Sequence, residues 1–176
     1  APFHVLRNLE AINCRANTFL DDITGYADNE NPAETLAKAL KDRGWRGKRV
    51  AADRKSWFLT VDFFGQLEQA LGTLLDGSGL VEPLRAVKSP LELEQMDKAA
   101  IACDAGHKAG IEAIQVGATE NDVVAAIMAG MISAGSEYLG MEPLVNSGPR
   151  SGIPHATWRR RRIEDGEMFV LEPAAC

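Results

Sequence analysis

The residue whose type and position most clearly indicate a chemical role in this sequence is His155, one of three histidines. An imidazole with an ordinary pKa of about 6.5 can take up and release a proton near neutral pH. His155 follows residues 146–154, a stretch rich in glycine, proline and hydroxyl side chains that is typical of a rigid loop, and it opens a predicted strand. His4 and His107 fall in predicted regular structure, where a packed or solvated role is the simpler interpretation. We interpret His155 as a general acid/base or ligand-binding group, with a solvated loop histidine as the alternative.

The same loop carries groups that could bind an anion or a carbonyl oxygen. Arg150 presents a planar guanidinium, and successive backbone amides of a glycine-rich turn can point at one ligand atom. An ordinary connecting loop is the alternative interpretation. Residues 159–162 are four arginines followed closely by Glu164, Asp165 and Glu167. This composition permits a nucleic-acid patch, but we favour a hairpin whose charges partly offset one another.

Several common kinds of site lack support in this sequence. Cys14, Cys103 and Cys176 are far apart and outside any C-x-x-C pattern, so neither a disulfide framework nor a zinc site follows. The chain also lacks the phosphate-binding G-x-x-x-x-G-K-[ST] loop, the dinucleotide-binding G-x-G-x-x-G turn, the G-x-S-x-G nucleophile turn and H-E-x-x-H. Phosphate, dinucleotide and common hydrolase sites are therefore not expected here.

The first half of the chain predicts a small α/β unit. Asn31 is a favourable N-cap before Pro32 at the first helical position, which predicts a helix over residues 32–43. Apolar residues at steps of three and four predict a second helix over residues 59–71. Strands are expected at residues 3–6 and 48–52. This alternation predicts a parallel or mixed sheet.

The second half has a different character and begins after the flexible Gly77-Ser78-Gly79, the expected domain junction. A capping box at Ser89 predicts a long helix to Val116, and Thr119 caps a second helix to about residue 134. Beyond Pro143 the helical periodicity disappears. Strands are then predicted at residues 144–145, 156–158 and 168–171. The predicted class is α+β, a helical pair followed by an antiparallel sheet.

Composition restricts the partners of this protein. The 176 residues are 45% hydrophobic and 25% charged, and the formal net charge is −6. Such a chain offers no general electrostatic footprint for nucleic acid or for an anionic membrane surface. No stretch approaches the roughly 20 apolar residues of a membrane span. We therefore expect a cytoplasmic protein that binds neither nucleic acid nor membrane.

Four stretches in this order resemble the creatinase and Xaa-Pro peptidase superfamily of pita-bread-fold hydrolases: residues 84–100, 116–126, 146–155 and 162–172. The segments 25–32, 55–60 and 147–158 are most similar to the ectoine hydrolase and creatinase-like members. The resemblance implies that residues 1–79 are the end of a small N-terminal α/β domain. Residues 80–176 would then be the start of the pita-bread catalytic domain. Because the chain begins with Ala1 and stops at an apolar strand, we expect an excerpt of a longer protein.

The resemblance also assigns roles to particular residues. His155 corresponds to the histidine that shuttles a proton in creatinase-like enzymes. Glu172 stands at or next to the place of the first metal ligand of the peptidases, an Asp followed by Gly, whereas here Pro173 follows. This departure favours the metal-free branch, so no metal or other cofactor is expected. In that branch Glu172 would orient the imidazole or hold a cationic substrate, and Arg150 would also bind substrate.

Together these features predict a hydrolase of a non-peptide C–N bond in a small cationic or zwitterionic metabolite, with His155 as its acid/base. The alternative is an Xaa-Pro dipeptidase of the same fold that uses two manganese or cobalt ions. A third possibility, from another class, is a catalytically inactive pita-bread domain that serves in binding. The resemblance implies a homodimer in each case.

Overall fold

A computed structural model describes residues 1–176 and contains two compact units, Ala1–Val87 and Lys88–Cys176. The unit boundary lies beyond Gly79, the expected junction. The first unit contains β1 (His4–Arg7), α1 (Ala11–Asn17), β2 (Ile23–Tyr26), α2 (Pro32–Asp42), β3 (Ala51–Ala52), α3 (Val61–Leu71), β4 (Leu75–Asp76) and α4 (Glu82–Ala86). The second contains α5 (Pro90–Ala113), α6 (Glu120–Ser133), β5 (Leu139–Ser147) and β6 (Phe169–Ala175).

The first unit has the predicted alternation of strands and helices. β1 pairs with β2 and β3 pairs with β4, both in parallel, and a helix lies between the strands of each pair. The predicted α2 is confirmed, and Asn31 caps it by accepting a hydrogen bond from the Ala33 amide at 2.8 Å. Ala33, Leu67 and Leu74 form the buried core between α2, α3 and the second strand pair.

Both helices of the second unit begin with capping boxes. At α5, the Ser89 hydroxyl accepts from the Glu92 amide and the Glu92 carboxylate accepts from the Ser89 amide. At α6, Thr119 and Asp122 make the same reciprocal pair. Each box satisfies amides that have no partner inside the helix, and this explains why the two helix starts are readable from the sequence.

Glycines allow α5 and α6 to pack closely against each other. A Cβ on Gly130 would lie 2.9 Å from the Ala105 carbonyl oxygen, and one on Gly110 would lie 2.5 Å from Ile127 Cγ1. Gly106 is equally close to the α6 backbone, with 3.1 Å to the Ile127 oxygen. The two helices therefore contact each other at a spacing that larger side chains would prevent.

Strands β5 and β6 form the antiparallel pair that the sequence predicts. Leu144 lies opposite Glu172, and Ser147 lies opposite Phe169 at the end of the ladder. One face of the pair packs on α6 around a buried cluster that consists of Val123, Val124, Ile127, Met131, Val145 and Ile163. No helix combines the length and apolar character that a membrane crossing requires.

The predicted strand over residues 156–158 is wrong, because this segment has no strand structure. Its carbonyl groups bond to side chains instead of to a neighbouring strand. Asn146 Nδ2 donates to the Ala156 oxygen at 3.2 Å, and Arg150 Nη2 donates to the Thr157 oxygen at 2.6 Å. Side-chain donors therefore hold an irregular backbone where apolar alternation had indicated a ladder.

We predict that Gly130→Ala destabilises the protein by about 1–3 kcal/mol, because the new methyl group would meet a backbone oxygen that cannot move away easily. Urea unfolding followed by circular dichroism measures the change. Gly65→Ala is the matched control, since Gly65 is also helical but has no atom within 4 Å of its Cβ position. The free energy of unfolding of that variant should be unchanged or higher by up to about 1 kcal/mol, because alanine has a higher helix propensity than glycine. Equal effects of the two changes would contradict this account of the packing.

Candidate functional site

A buried carboxylate organises the second unit around the loop that carries His155. Glu120, the first residue of α6, is 0% exposed. Its Oε1 accepts hydrogen bonds from the amide and hydroxyl of Ser147 at 2.9 and 2.7 Å. Its Oε2 accepts from Arg150 Nη1 at 2.7 Å and from the Arg159 amide at 2.6 Å. Four donors thus satisfy both oxygens, which is the condition for keeping a carboxylate out of water.

The residues just before Glu120 pair with the chain that returns from the loop. The Glu120 amide donates to the Arg161 oxygen at 3.1 Å, and the Ile163 amide donates to the Ala118 oxygen at 2.8 Å. Arg162 Nη1 donates to the Gly117 oxygen at 2.8 Å. The start of α6 is therefore fixed to the returning segment through the backbone as well as through the carboxylate.

A second ion pair lies beside the one between Arg150 and Glu120. Arg161 makes a two-point contact with Glu167, in which Nη1 donates to Oε2 at 2.6 Å and Nη2 donates to Oε1. Arg161 Nη1 also donates to Ser147 Oγ at 3.0 Å. The hydrogen bond from Arg161 holds the pKa of Glu167 below its ordinary value, and a bond from the Glu164 amide acts in the same direction. Ser147 therefore links the two carboxylates.

Gly148 turns the chain out of β5 and into the loop. Its φ is +55°, and a Cβ at this position would collide with the carboxylate of Glu167 and with the guanidinium of Arg161. Only a residue without a side chain fits both constraints. The Gly148 amide donates to the Met168 oxygen at 2.9 Å, so this turn begins from the last pairing of the strand ladder.

His155 lies in the middle of this loop and is exposed to solvent. Its φ is +54°, and it is the non-glycine residue of the chain with a positive φ. This backbone conformation is uncommon, although histidine is among the residues that adopt it more often than most. None of the hydrogen bonds that anchor the loop involves the imidazole. The ring is thus free to meet a ligand while neighbouring residues fix its backbone.

The structure brings Arg150 into the same cluster but not Glu172. Arg150 donates from Nη1 to the Glu120 carboxylate and from Nη2 to the Thr157 carbonyl oxygen. Glu172 is exposed on β6, and no hydrogen bond or ion pair joins it to His155. The roles of His155, Arg150 and Glu172 toward a substrate stay predictions.

The sequence interpretation missed Glu120, Ser147 and Asn146. Asn146 is 1% exposed, and its Oδ1 is buried without a hydrogen-bond partner. The available signal was weak, since an acidic residue in the first turn of a helix is ordinary. The bonds from Glu120 reach Ser147 and Arg159, which are 27 and 39 residues away in the chain. Such a tertiary cluster leaves no periodic trace in one sequence.

Comparisons with known families agree with this two-part architecture. The family model described as Creatinase/Prolidase N-terminal domain matches residues 2–87, and the model described as Metallopeptidase family M24 matches residues 94–176. The chain combines a creatinase/prolidase N-terminal domain with sequence of the M24 family. The resemblance inferred from the four sequence stretches is therefore confirmed, and the second unit corresponds to the M24 segment.

Individual relatives cover the chain almost completely. YkvY of Bacillus subtilis, provisionally named a dipeptidase, is 30% identical over 97% of this chain and 47% of its own length. Ectoine hydrolase of Halomonas elongata is 28% identical over 88% of this chain and 43% of its own length. This chain therefore spans about half the length of these curated relatives.

The fold is also that of a solved relative. The structure of an Xaa-Pro dipeptidase from Bacillus anthracis matches with a TM-score of 0.81 at 23% identity, over 97% of this chain and 47% of that one. This similarity confirms the predicted α+β class, with the small N-terminal domain followed by the start of the pita-bread domain.

The expectation that no metal is used is wrong at the level of the family, because the matching model of the second unit describes metallopeptidases. The residues of this chain do not form a metal site among themselves, since no three His, Cys, Asp or Glu side chains converge. Glu172, on β6, belongs to no such group. We therefore assign no chemical step of this chain to a metal ion.

The pairing of Glu167 with Arg161 predicts an acid-dependent loss of stability. Because the folded-state pKa of Glu167 is lowered, its contribution is present above the unfolded pKa of about 4.3 and is lost as the pH falls through the lower folded value. Glu167→Gln should therefore lower the melting temperature at pH 7, and its difference from the parent protein should shrink in acid. Melting curves across this pH range measure the difference. Glu112→Gln, at an exposed position on α5, is the control, and a constant difference for Glu167→Gln would contradict the assignment.

Proposed function

We propose that the protein to which this chain belongs hydrolyses a C–N bond in a small cationic or zwitterionic metabolite, in the manner of ectoine hydrolase and creatinase, with His155 as general acid/base. The observation that supports this most directly is the exposed imidazole on an anchored loop, at a residue with a φ of +54°. Uncommon backbone conformations of this kind cluster at functional sites. The relationship to an ectoine hydrolase adds the substrate class.

Hydrolysis of a C–N bond near neutral pH asks for two proton transfers, and one imidazole can perform both. In the cyclic amidine of ectoine, the oxygen of water forms a bond to the amidine carbon while His155 takes one of its protons. The imidazolium then gives that proton to the leaving nitrogen and the ring C–N bond breaks. The hydroxyl group formed from water passes its remaining proton to the released amine as the amide carbonyl forms. The exposed position of His155 leaves it open to both partners.

In this proposal Glu172 binds the substrate directly, whereas Arg150 contributes indirectly. The carboxylate of Glu172 is exposed on β6 and could hold a cationic amidine or guanidinium by a charge-assisted hydrogen bond. Arg150 already donates to Glu120 and to Thr157. We therefore propose that its contribution to substrate binding is indirect, through the shape of the loop. The homodimer implied by the resemblance stays a prediction.

A second candidate function is the hydrolysis of dipeptides that contain proline. The relationship to YkvY and the M24 family match favour it. Metal ions bound by an enzyme of this kind supply a Lewis acid and an activated water. His155 would then steady the substrate beside the reaction centre, and the same anchored loop would present it.

Substitution of His155 is the direct test of the first proposal, in which this residue is the general acid/base. We expect His155→Ala in the full-length protein to lower kcat by about 10²- to 10⁴-fold, the usual contribution of general acid/base catalysis. Steady-state kinetics on the true substrate measure the loss. His4→Ala, in the first unit, is the matched control and should retain parental turnover. A loss below about threefold for His155→Ala would remove the acid/base assignment.

Substrate assays separate the two candidates. We expect full-length protein to release the ring-opened product from ectoine, or to cleave creatine, while an Ala-Pro dipeptide is turned over more slowly by at least about 100-fold, because a site that binds one substrate's polar groups rejects one that leaves them unpaired. Product formation followed by mass spectrometry provides the comparison. Faster cleavage of the dipeptide would reverse the order of the candidates.

A further inference from the structure

We infer that Glu120 is a positioning residue that acts through His155, and this inference rests on the proposed function. The Glu120 carboxylate holds both ends of the His155 loop at once. Oε1 binds Ser147, where the chain leaves β5, and Oε2 binds the Arg159 amide, where the chain returns. One side chain therefore closes the loop of residues 148–158 at its base.

Two further hydrogen bonds hold the interior of the loop to the same anchoring residues. Arg150 bridges from Glu120 to the Thr157 carbonyl, and Asn146 bridges from the end of β5 to the Ala156 carbonyl. Both of those carbonyls lie within two residues of His155. The backbone that carries the imidazole is thus fixed by Glu120 in two steps, first through Arg150 and then through Thr157.

The capping of α6 does not explain this carboxylate. Thr119 and Asp122 already form the capping box of that helix, and Glu120 points its acceptors at the loop instead. The Glu120 side chain is also fully buried, so solvent does not satisfy it. Ser147, Arg150 and Arg159 supply its donors, and all three belong to the loop or to its ends.

We expect the loss of these bonds to displace His155. The imidazole takes no part in the anchoring bonds, and its residue has a positive φ, so its position depends on the surrounding backbone. A displacement of about 1 Å in a reacting group can lower a rate by about 100-fold. Glu120 therefore affects proton transfer without contacting a substrate.

A double-mutant cycle in the full-length protein tests this inference. We expect Glu120→Gln to lower kcat by about 10- to 100-fold, with KM changed by less than about threefold, because the defect lies in the placement of the base. In the His155→Ala background, the same Glu120→Gln change should cause no further loss, because the group through which it acts is absent. Glu112→Gln, on an exposed acidic residue of α5, is the matched control and should keep parental kinetics.

Hydrogen exchange provides a readout that does not depend on activity. Glu120→Gln should speed amide exchange in residues 148–159 while α5 and the middle of α6 keep their protection. If Glu120→Gln does not fold, Ser147→Ala serves in the same cycle. It removes one hydroxyl donor to Glu120, and its expected loss of kcat is about 10-fold.

The outcomes separate failure of the inference from failure of the proposed function. Equal losses from Glu120→Gln in the parental and His155→Ala backgrounds would overturn positioning through His155, as would unchanged exchange in the loop. If His155→Ala itself left turnover intact, the proposed function would fall and the catalytic role of Glu120 with it. Faster loop exchange would in that case show a purely structural anchor.

Discussion

The second unit depends on one requirement, that the buried carboxylate of Glu120 keep all four of its hydrogen bonds. A carboxylate removed from water is tolerated only where donors replace the solvent. Ser147, Arg150 and Arg159 supply these donors from the end of β5, from the loop and from its return. The strand ladder, the loop and the start of α6 are therefore parts of one arrangement, and none of them can shift without leaving the charge partly unsatisfied.

The same requirement explains why an irregular loop can hold a catalytic candidate in place. The first part of the loop has backbone hydrogen bonds of its own, from the Ser151 amide to the Gly148 oxygen and from the Ile153 amide to the Arg150 oxygen. Just after His155, side chains supply the bonds instead, since Asn146 and Arg150 donate to the carbonyl groups of residues 156 and 157. The imidazole remains unattached while its backbone is fixed. An acid/base group needs this combination, because it must reach the substrate in one position and still exchange protons.

Local signals in the sequence predicted the helices well. Asn31 before Pro32, the capping box at Ser89 and the cap at Thr119 each specify a helix start through bonds between near neighbours. The loop was harder, since the apolar segment at 156–158 resembles a strand until its carbonyls meet Asn146 and Arg150. The cluster around Glu120 joins residues that are distant along the chain, so no local rule indicates it. His155 was predictable as a candidate from its surroundings and from the family resemblance, whereas its anchor was not.

The glycines between α5 and α6 also restrict how this protein can move. Packed helices usually slide past one another by small rotamer changes in the side chains between them. A Cβ on Gly130 would lie 2.9 Å from the Ala105 backbone oxygen, and the space at Gly106 and Gly110 is filled by the side chains of Met131 and Ile127. These tightly held side chains have little room to absorb such a shift. The helix pair should consequently move as one rigid body. Any opening or closing of the second unit would have to occur as a hinge in connecting segments outside the anchored loop of His155.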